Sequence, residues 1–402
     1  MGKTIRTRRF LVISVLALLM VFPLTAFAKD KVKIGAAIAL SGPNAGPAMI
    51  TQLRNYKLWV DQVNAKGGLK VKGYDKPLPI ELTLYDDKGD VGTSVRLVEK
   101  LILKDKVDLL LPPWGTASHF AVAPIVTKHG YPMIGPTASS VKLMEIADKI
   151  PYMFIILNQP TSQGAGLVEV LKDLKVKTAA LIRHTDLHGI EFVNYVEPAL
   201  KKAGIKVLLS ESYPMGAKDL SPLLKKVKAA NPEAVLAFSY PGGTILLTKQ
   251  ARTIGLNPKV FFATVGVAFP FYRDMFKTEN VEGIMGAGAW NPNVKYAGAK
   301  EYFDAHVKHS GHEPDRWGSA FSYAALQIME QAVAQVGLDN KKLRDLIASE
   351  TFPTVIGPVK FENQFNVQAP GEIGQWQNGE FEVVSMKAQR TAKPIYPKPA
   401  WK

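Results

Sequence analysis

Cysteine is absent from the 402 residues. Its absence excludes disulfides, thiolate zinc sites, iron–sulfur clusters, a cysteine nucleophile and a lipidated cysteine together. Beyond the first 28 residues no apolar run approaches the ~20 needed to span a bilayer. Also missing are a Gly-x-Ser-x-Gly elbow, a phosphate-binding Gly-Lys-Ser/Thr loop, a His-Glu-x-x-His pair and a dinucleotide fingerprint after the first apolar run. No enzyme motif is therefore present, and the chain is not expected to be an enzyme. What is present is ordinary globular material: 47% apolar and 21% charged residues, enough to bury a core. The length suits two domains or lobes, and 32 glycines with 27 prolines imply many turns. Fifty basic against 35 acidic residues give +15, which alone permits nucleic acid, a membrane or an acidic solute as partner. The lysines are dispersed along amphipathic stretches, so nucleic acid is not expected.

Residues 1–28 read as a secretory signal. Lys3, Arg6, Arg8 and Arg9 precede the apolar run from Phe10 to Phe22, and Ala26-Phe27-Ala28 offers small residues for cleavage. At about 13 residues the run is too short to span a membrane. Removing its four positive charges from +15 leaves +11. With no cysteine to carry a lipid, the expected product is a free periplasmic protein beginning near Lys29.

From Lys31 short apolar runs alternate with amphipathic stretches, which predicts βαβ units and parallel sheets. Strands are expected at Val32–Leu40, Ile80–Tyr85, Val107–Leu111, Tyr131–Ile134 and Tyr152–Ile156. A second series is expected at Thr178–Ile182, Ile205–Leu209, Ala234–Phe238 and Val260–Phe262. A helix from about Ala45 carries Met49, Leu53, Tyr56, Val60 and Val63 on one face and stops at Gly67-Gly68. The pattern restarts after about residue 158, so two similar lobes are expected. In open parallel sheets ligands bind beyond the carboxyl ends of the strands. There lie Ser41–Asn44, Trp114–Ser118, Thr137–Ser140, Arg183–His188 and Ser239–Gly243, rich in hydroxyls, glycine and aromatics. Thr116 and Thr137–Ser139 stand where helices begin, and free N–H groups there favour an anion such as a carboxylate.

Several stretches resemble the branched-chain amino-acid-binding proteins of the periplasm. They are Lys33-Ile34-Gly35 through Ser41-Gly42-Pro43, Val63–Gly68, Tyr85-Asp86-Asp87, Ile134–Ser139, Gln250-Ala251-Arg252 with Gly255-Leu256, Tyr323–Leu326, and Gly357-Pro358 before Phe361. They fall in order along nearly all the chain after the signal. The resemblance implies an α/β type I periplasmic binding fold, with two doubly wound parallel-sheet lobes joined by three crossover segments. The expected lobes are 29–157 plus 289–357 and 158–288 plus 358–385, followed by a basic, proline-containing tail at 386–402. It also implies hinge closure around a small solute and delivery to the permease subunits of an ABC importer in the inner membrane. No cofactor or metal is implied, and a monomer is expected.

Carried over residue by residue, the family's carboxylate-binding hydroxyls fall on Thr116 and Ser139, with backbone help from Gly115, Thr137 and the adjacent Ala138. A closing tyrosine falls on Tyr240 and another aromatic position on His188. The family's acidic partner for the α-ammonium falls on Val265. A buried ammonium without its carboxylate costs several kcal/mol by order of magnitude. Trp114 replaces a small aliphatic residue, and Trp317 lies near the apolar wall. These departures imply a carboxylate solute with an apolar or aromatic body and no amine, its polar substituent meeting His188. An amino-acid ligand stays open if Asp186 or Asp274 supplies the missing charge, and a sensing role stays open beside transport. His184, Asp186 and His188 could form a metal or enzymatic cluster, but a hydrogen-bonding role in the cleft fits their loop better. His306, His309 and His312 are expected on a solvated surface. Asp86 and Asp87, facing opposite sides of a strand, are expected to be structural.

Overall fold

The computed structural model describes residues 1–2, 29–288, 290–368, 373–385, 387 and 390–402. Apart from Met1 and Gly2 the expected signal lies outside these residues. In the first lobe the strand β1 (Val32–Ile38) pairs in parallel with β2 (Ile80–Asp86) and β3 (Leu109–Leu111). Beside β3 lie β4 (Met133–Gly135) and its parallel partner β5 (Met153–Ile155). β1 is buried along almost its whole length, as expected of a sheet covered on both faces. The second lobe holds β6 (Thr178–His184), β7 (Lys206–Tyr213), β8 (Ala234–Phe238), β9 (Val260–Ala263) and β10 (Met285–Ala287). Their order is β10-β9-β8-β6-β7, all parallel.

The sequence places the return to the second lobe between residues 357 and 358. The structure moves it later. β11 (Thr351–Thr354) and β12 (Gly357–Glu362) form an antiparallel pair, and β13 (Phe365–Asn366) lies parallel to β5. Gly357, at φ +90°, turns a hairpin within the first lobe. Phe361 then packs on Phe154 with ring centroids 5.2 Å apart, and Phe365 joins the first lobe's core. Only at β14 (Ile373–Gln377), antiparallel to β10 and followed by β15 (Glu380–Val383), does the chain belong to the second sheet.

Local departures have local causes. In the first long helix Leu53, Tyr56, Val60 and Val63 are buried as their spacing predicts, but Met49 is 36% exposed. Met49–Leu53 is π-helical; its extra residue per turn rotates Met49 outward and buries Thr51 and Gln52. His306 is buried rather than solvated, with Nδ1 2.8 Å from the His312 carbonyl. Gly311, at φ +71°, brings that carbonyl back, and burial pushes the His306 imidazole down to about 4. The expected tail is tied down at its end. The Lys398 N–H donates to the Lys259 carbonyl (2.8 Å), and Trp401 Nε1 donates to the Leu256 carbonyl (2.8 Å). Among the described residues no helix is long and apolar enough to cross a membrane.

Candidate ligand-binding cleft

The helix Thr116–His129 starts directly after Gly115, whose φ of 88° and ψ of 154° suit glycine alone. This conformation lets the Gly115 N–H donate to Thr137 Oγ1 (3.2 Å), which in turn donates to Gln52 Oε1 (3.1 Å). The Ser139 N–H donates to Thr116 Oγ1 (3.2 Å), and Ser139 Oγ donates to the Asn158 carbonyl (3.0 Å). Thr116, Thr137 and Ser139 are all buried. Hydroxyls and early helical N–H groups thus converge, an arrangement suited to an anion. Trp114 is fixed beside them by donating Nε1 to Thr51 Oγ1 (3.1 Å). Ala138 separates from the group: its side chain lies in the first lobe's core, and its carbonyl accepts from Gln159 Nε2 (3.4 Å).

From the second lobe, Tyr240 precedes the helix Pro241–Thr253. Its ring meets Trp114 across the cleft, with centroids 5.3 Å apart, and stacks on His184 at 4.6 Å. Burial and the nearby Asp186 carboxylate hold its phenol well above the usual range, while Thr116 acts in the opposite sense. Asp186 caps the next helix by accepting from the Gly189 N–H (3.2 Å) and stands 2.9 Å from His184 Nδ1. Burial is the largest single influence and opposes its charge, but His184, His188 and the Gly189 N–H together lower its pKa. His188 Nε2 pairs with Thr264 Oγ1 (3.2 Å) and its ring packs on Phe192 (4.6 Å). Burial pushes it down to about 3, so it is neutral near pH 7. Val265 has no exposure; its N–H donates to the Ser239 carbonyl (3.1 Å) and its carbonyl accepts from Thr244 (2.6 Å). The Trp317 N–H donates to Asp315 (2.7 Å), and a side chain at the next residue, Gly318, would touch Thr51 and Thr137.

Two lobes of parallel sheet with hydroxyls at the strand ends match a known pattern. The profile described as periplasmic binding protein covers residues 31–380. The chain belongs to that family. The Leu/Ile/Val/Thr-binding protein of Salmonella typhimurium is 26% identical over 369 residues, covering 91% of this chain and 94% of that protein. A branched-chain amino acid transporter substrate-binding protein of Streptococcus pneumoniae, solved with isoleucine, superposes with a TM-score of 0.77 at 20% identity. The match covers 91% of this chain and all of that one. An ABC-transporter solute-binding protein of R. palustris, solved with benzoate, gives 0.73 at 19% identity over 92% and 97%. The fold is accordingly the type I periplasmic binding fold, and this is a periplasmic binding protein of the branched-chain amino-acid ABC type.

In this periplasmic binding protein, sequence patterns miss three contributors. Gln52 donates Nε2 to the carbonyls of Pro112 (3.2 Å) and Pro113 (3.1 Å) while receiving Thr137. Glu191, in the second lobe's helix Leu187–Lys202, accepts from Ser140 Oγ (3.0 Å) and from the N–H groups of Val141 and Lys142. It thereby caps the first-lobe helix Val141–Glu145. Tyr213 closes the third gap, lining a cavity of about 370 Å³ together with Asn44, His184, Tyr240 and Lys249. Spacing along the chain carries no signal for any of these. Among the described residues no group of acidic and histidine side chains could hold a metal.

Proposed function

We propose that this protein binds a carboxylate with an apolar or aromatic body and no α-amine, and presents it to the permease subunits of an ABC importer. The carrying observation is Val265. By resemblance this position belongs to the acidic partner of the ammonium, yet here a fully buried valine has both backbone groups occupied. An ammonium placed against this position would find no counter-charge there, at a cost of several kcal/mol by order of magnitude. Asp274 offers no remedy, being exposed and paired with Arg273 at 3.0 Å. Thr116, Ser139 and the N–H groups around Gly115 and Thr137 hold the carboxylate; Trp114, Tyr240 and Trp317 enclose the body. The R. palustris neighbour, whose benzoate has no amine, is consistent with this reading.

One observation favours a second reading, that of a branched-chain amino acid. Asp186 is a charged carboxylate beside Tyr240 that could face an ammonium. Thermal-shift screening of benzoate and branched aliphatic acids against leucine, isoleucine, valine and phenylalanine separates the two. Stabilisation by the acids lacking an amine is expected, and stabilisation by the amino acids alone would overturn the proposal. Thr116→Val and Ser139→Ala should each weaken acid binding by about ten- to a hundredfold, since a hydrogen bond to a charged group contributes about 1.5–3 kcal/mol. Calorimetry showing unchanged affinity would remove these residues from the site.

A further inference from the structure

The first long helix is interrupted by the π-turn Met49–Leu53, where the Arg54 N–H reaches back to the Met49 carbonyl. Such turns are rare inside helices and are found most often at functional sites. This one works against the burial of apolar surface: Met49 is left exposed while Thr51 and Gln52 are wholly buried. The partners of the buried pair account for the exchange. Gln52 holds the carbonyls of Pro112 and Pro113 and receives the Thr137 hydroxyl. Thr51 Oγ1 accepts from Trp114 Nε1 at 3.1 Å. Both side chains therefore act on the stretch from Pro112 to Trp114, which follows β3 and leads into the candidate anion site.

The two groups of the Thr51 side chain have separate duties. Its hydroxyl proton goes to the Pro47 carbonyl (2.8 Å), which leaves a lone pair to accept the indole N–H. Its methyl group faces Gly318, where a Cβ would stand 3.1 Å from Thr51 Cγ2. The hydrogen bond and this packing together hold one rotamer of a side chain already stiff at χ1. An indole nitrogen only donates, and among the described residues Thr51 is the one acceptor that Trp114 Nε1 has. Trp114 is buried, so water is a poor substitute for that acceptor. The indole accordingly takes a single orientation, tilted by 59° against Tyr240. A wall of fixed orientation discriminates between solute shapes, whereas a wall that repacks accepts several.

From these observations we infer that Thr51 is a positioning residue. Through its hydrogen bond to Trp114 it sets how strongly the site distinguishes a flat aromatic solute from a branched aliphatic one. The inference deepens the proposed function and rests on it in placing Trp114 against the body of the solute. Two variants of the purified protein separate the duties: Thr51→Val keeps the shape and loses the acceptor, and Thr51→Ser keeps the acceptor and loses the methyl. Calorimetry with benzoate and with isovalerate gives the ratio of affinities. NMR gives the Trp114 indole N–H signal, assigned by its loss in Trp114→Phe. In Thr51→Val the ratio is expected to fall about fivefold, the scale of one net hydrogen bond, and the indole signal to shift. In Thr51→Ser both should stay as in wild type. The reverse pattern, Thr51→Ser altered and Thr51→Val unaltered, would reduce Thr51 to packing against Gly318 and overturn the inference. A shifted indole signal with an unchanged ratio would overturn it too, as would a wild-type ratio near one. In a Trp114→Phe background Thr51→Val should change the ratio no further; an equal fall there would refute a route through the indole. Amino acids bound with neither acid bound would defeat the carboxylate reading alone, and the phenylalanine-to-leucine ratio would then put Thr51 to the same test.

Discussion

Gly115 shows how one residue sets the candidate anion site. A Cβ there would meet nothing within 4 Å, so Gly115→Ala tests backbone strain rather than crowding. The substitution should cost about 1–3 kcal/mol, seen as a lower melting temperature together with weaker acid binding as the Gly115–Thr137 bond turns away. An unchanged melting temperature would mean that the φ of 88° is not required. Thr116, Ser139, Trp114 and Tyr240 lie in polar stretches that follow strands, and the resemblance to the binding-protein family is what singles them out there as candidates. Gln52 and Glu191 could not be picked out, because each meets its partner on an element far away in sequence: Thr137 85 residues from Gln52, and Ser140 51 residues from Glu191. His184 and His188 were near enough in sequence to be confused. The first ends β6 and lines the cavity, whereas the second lies inside the next helix beneath Phe192.

At the scale of elements, Asp86 ties the end of β2 to the turn that follows β1. Its carboxylate accepts from the N–H groups of Leu40 (2.9 Å), Ser41 (3.1 Å) and Lys88 (2.9 Å) and from Ser41 Oγ (2.6 Å). The Ser41 hydroxyl above all, with the three N–H groups, holds it down at about 2. A carboxylate with a depressed pKa stabilises the fold above its unfolded value near 3.9 and loses that contribution as pH falls toward 2. Asp86→Asn should therefore lower the melting temperature by a few degrees at pH 7, with the difference from wild type closing between about pH 4 and pH 2. A difference independent of pH would refute this account. Asp87, just beyond the end of β2, takes the Ser94 hydroxyl (2.8 Å) and the Gly89 N–H (2.8 Å), so the two aspartates bind different partners and both hold the local fold, as the resemblance implies. The sequence reading set the lobe boundary at Gly357-Pro358, where a glycine-proline turn looks the same before a hairpin and before a crossing. Only the pairing of β13 with β5 distinguishes them.

For the whole molecule the question is what holds the lobes together. Tyr240 against Trp114 is one contact, and Glu191 on the helix Val141–Glu145 is another. Removing a helix cap costs about 0.5–2 kcal/mol. Because this cap comes from the opposite lobe, the loss should fall on closure. Glu191→Ala is expected to raise the radius of gyration of the ligand-free protein in small-angle scattering and to weaken solute binding several-fold. A lower melting temperature with unchanged scattering and affinity would reduce Glu191 to an ordinary cap. The alternation of apolar runs and amphipathic helices and the turn residues between them were enough to determine two α/β lobes, because those signals act over a few residues. Which residues face each other across the cleft, where the chain returns to the first lobe's sheet, and which histidine lines the cavity were decided by tertiary structure. Each depends on contacts between segments far apart in sequence, whose geometry exists only once both sheets are packed.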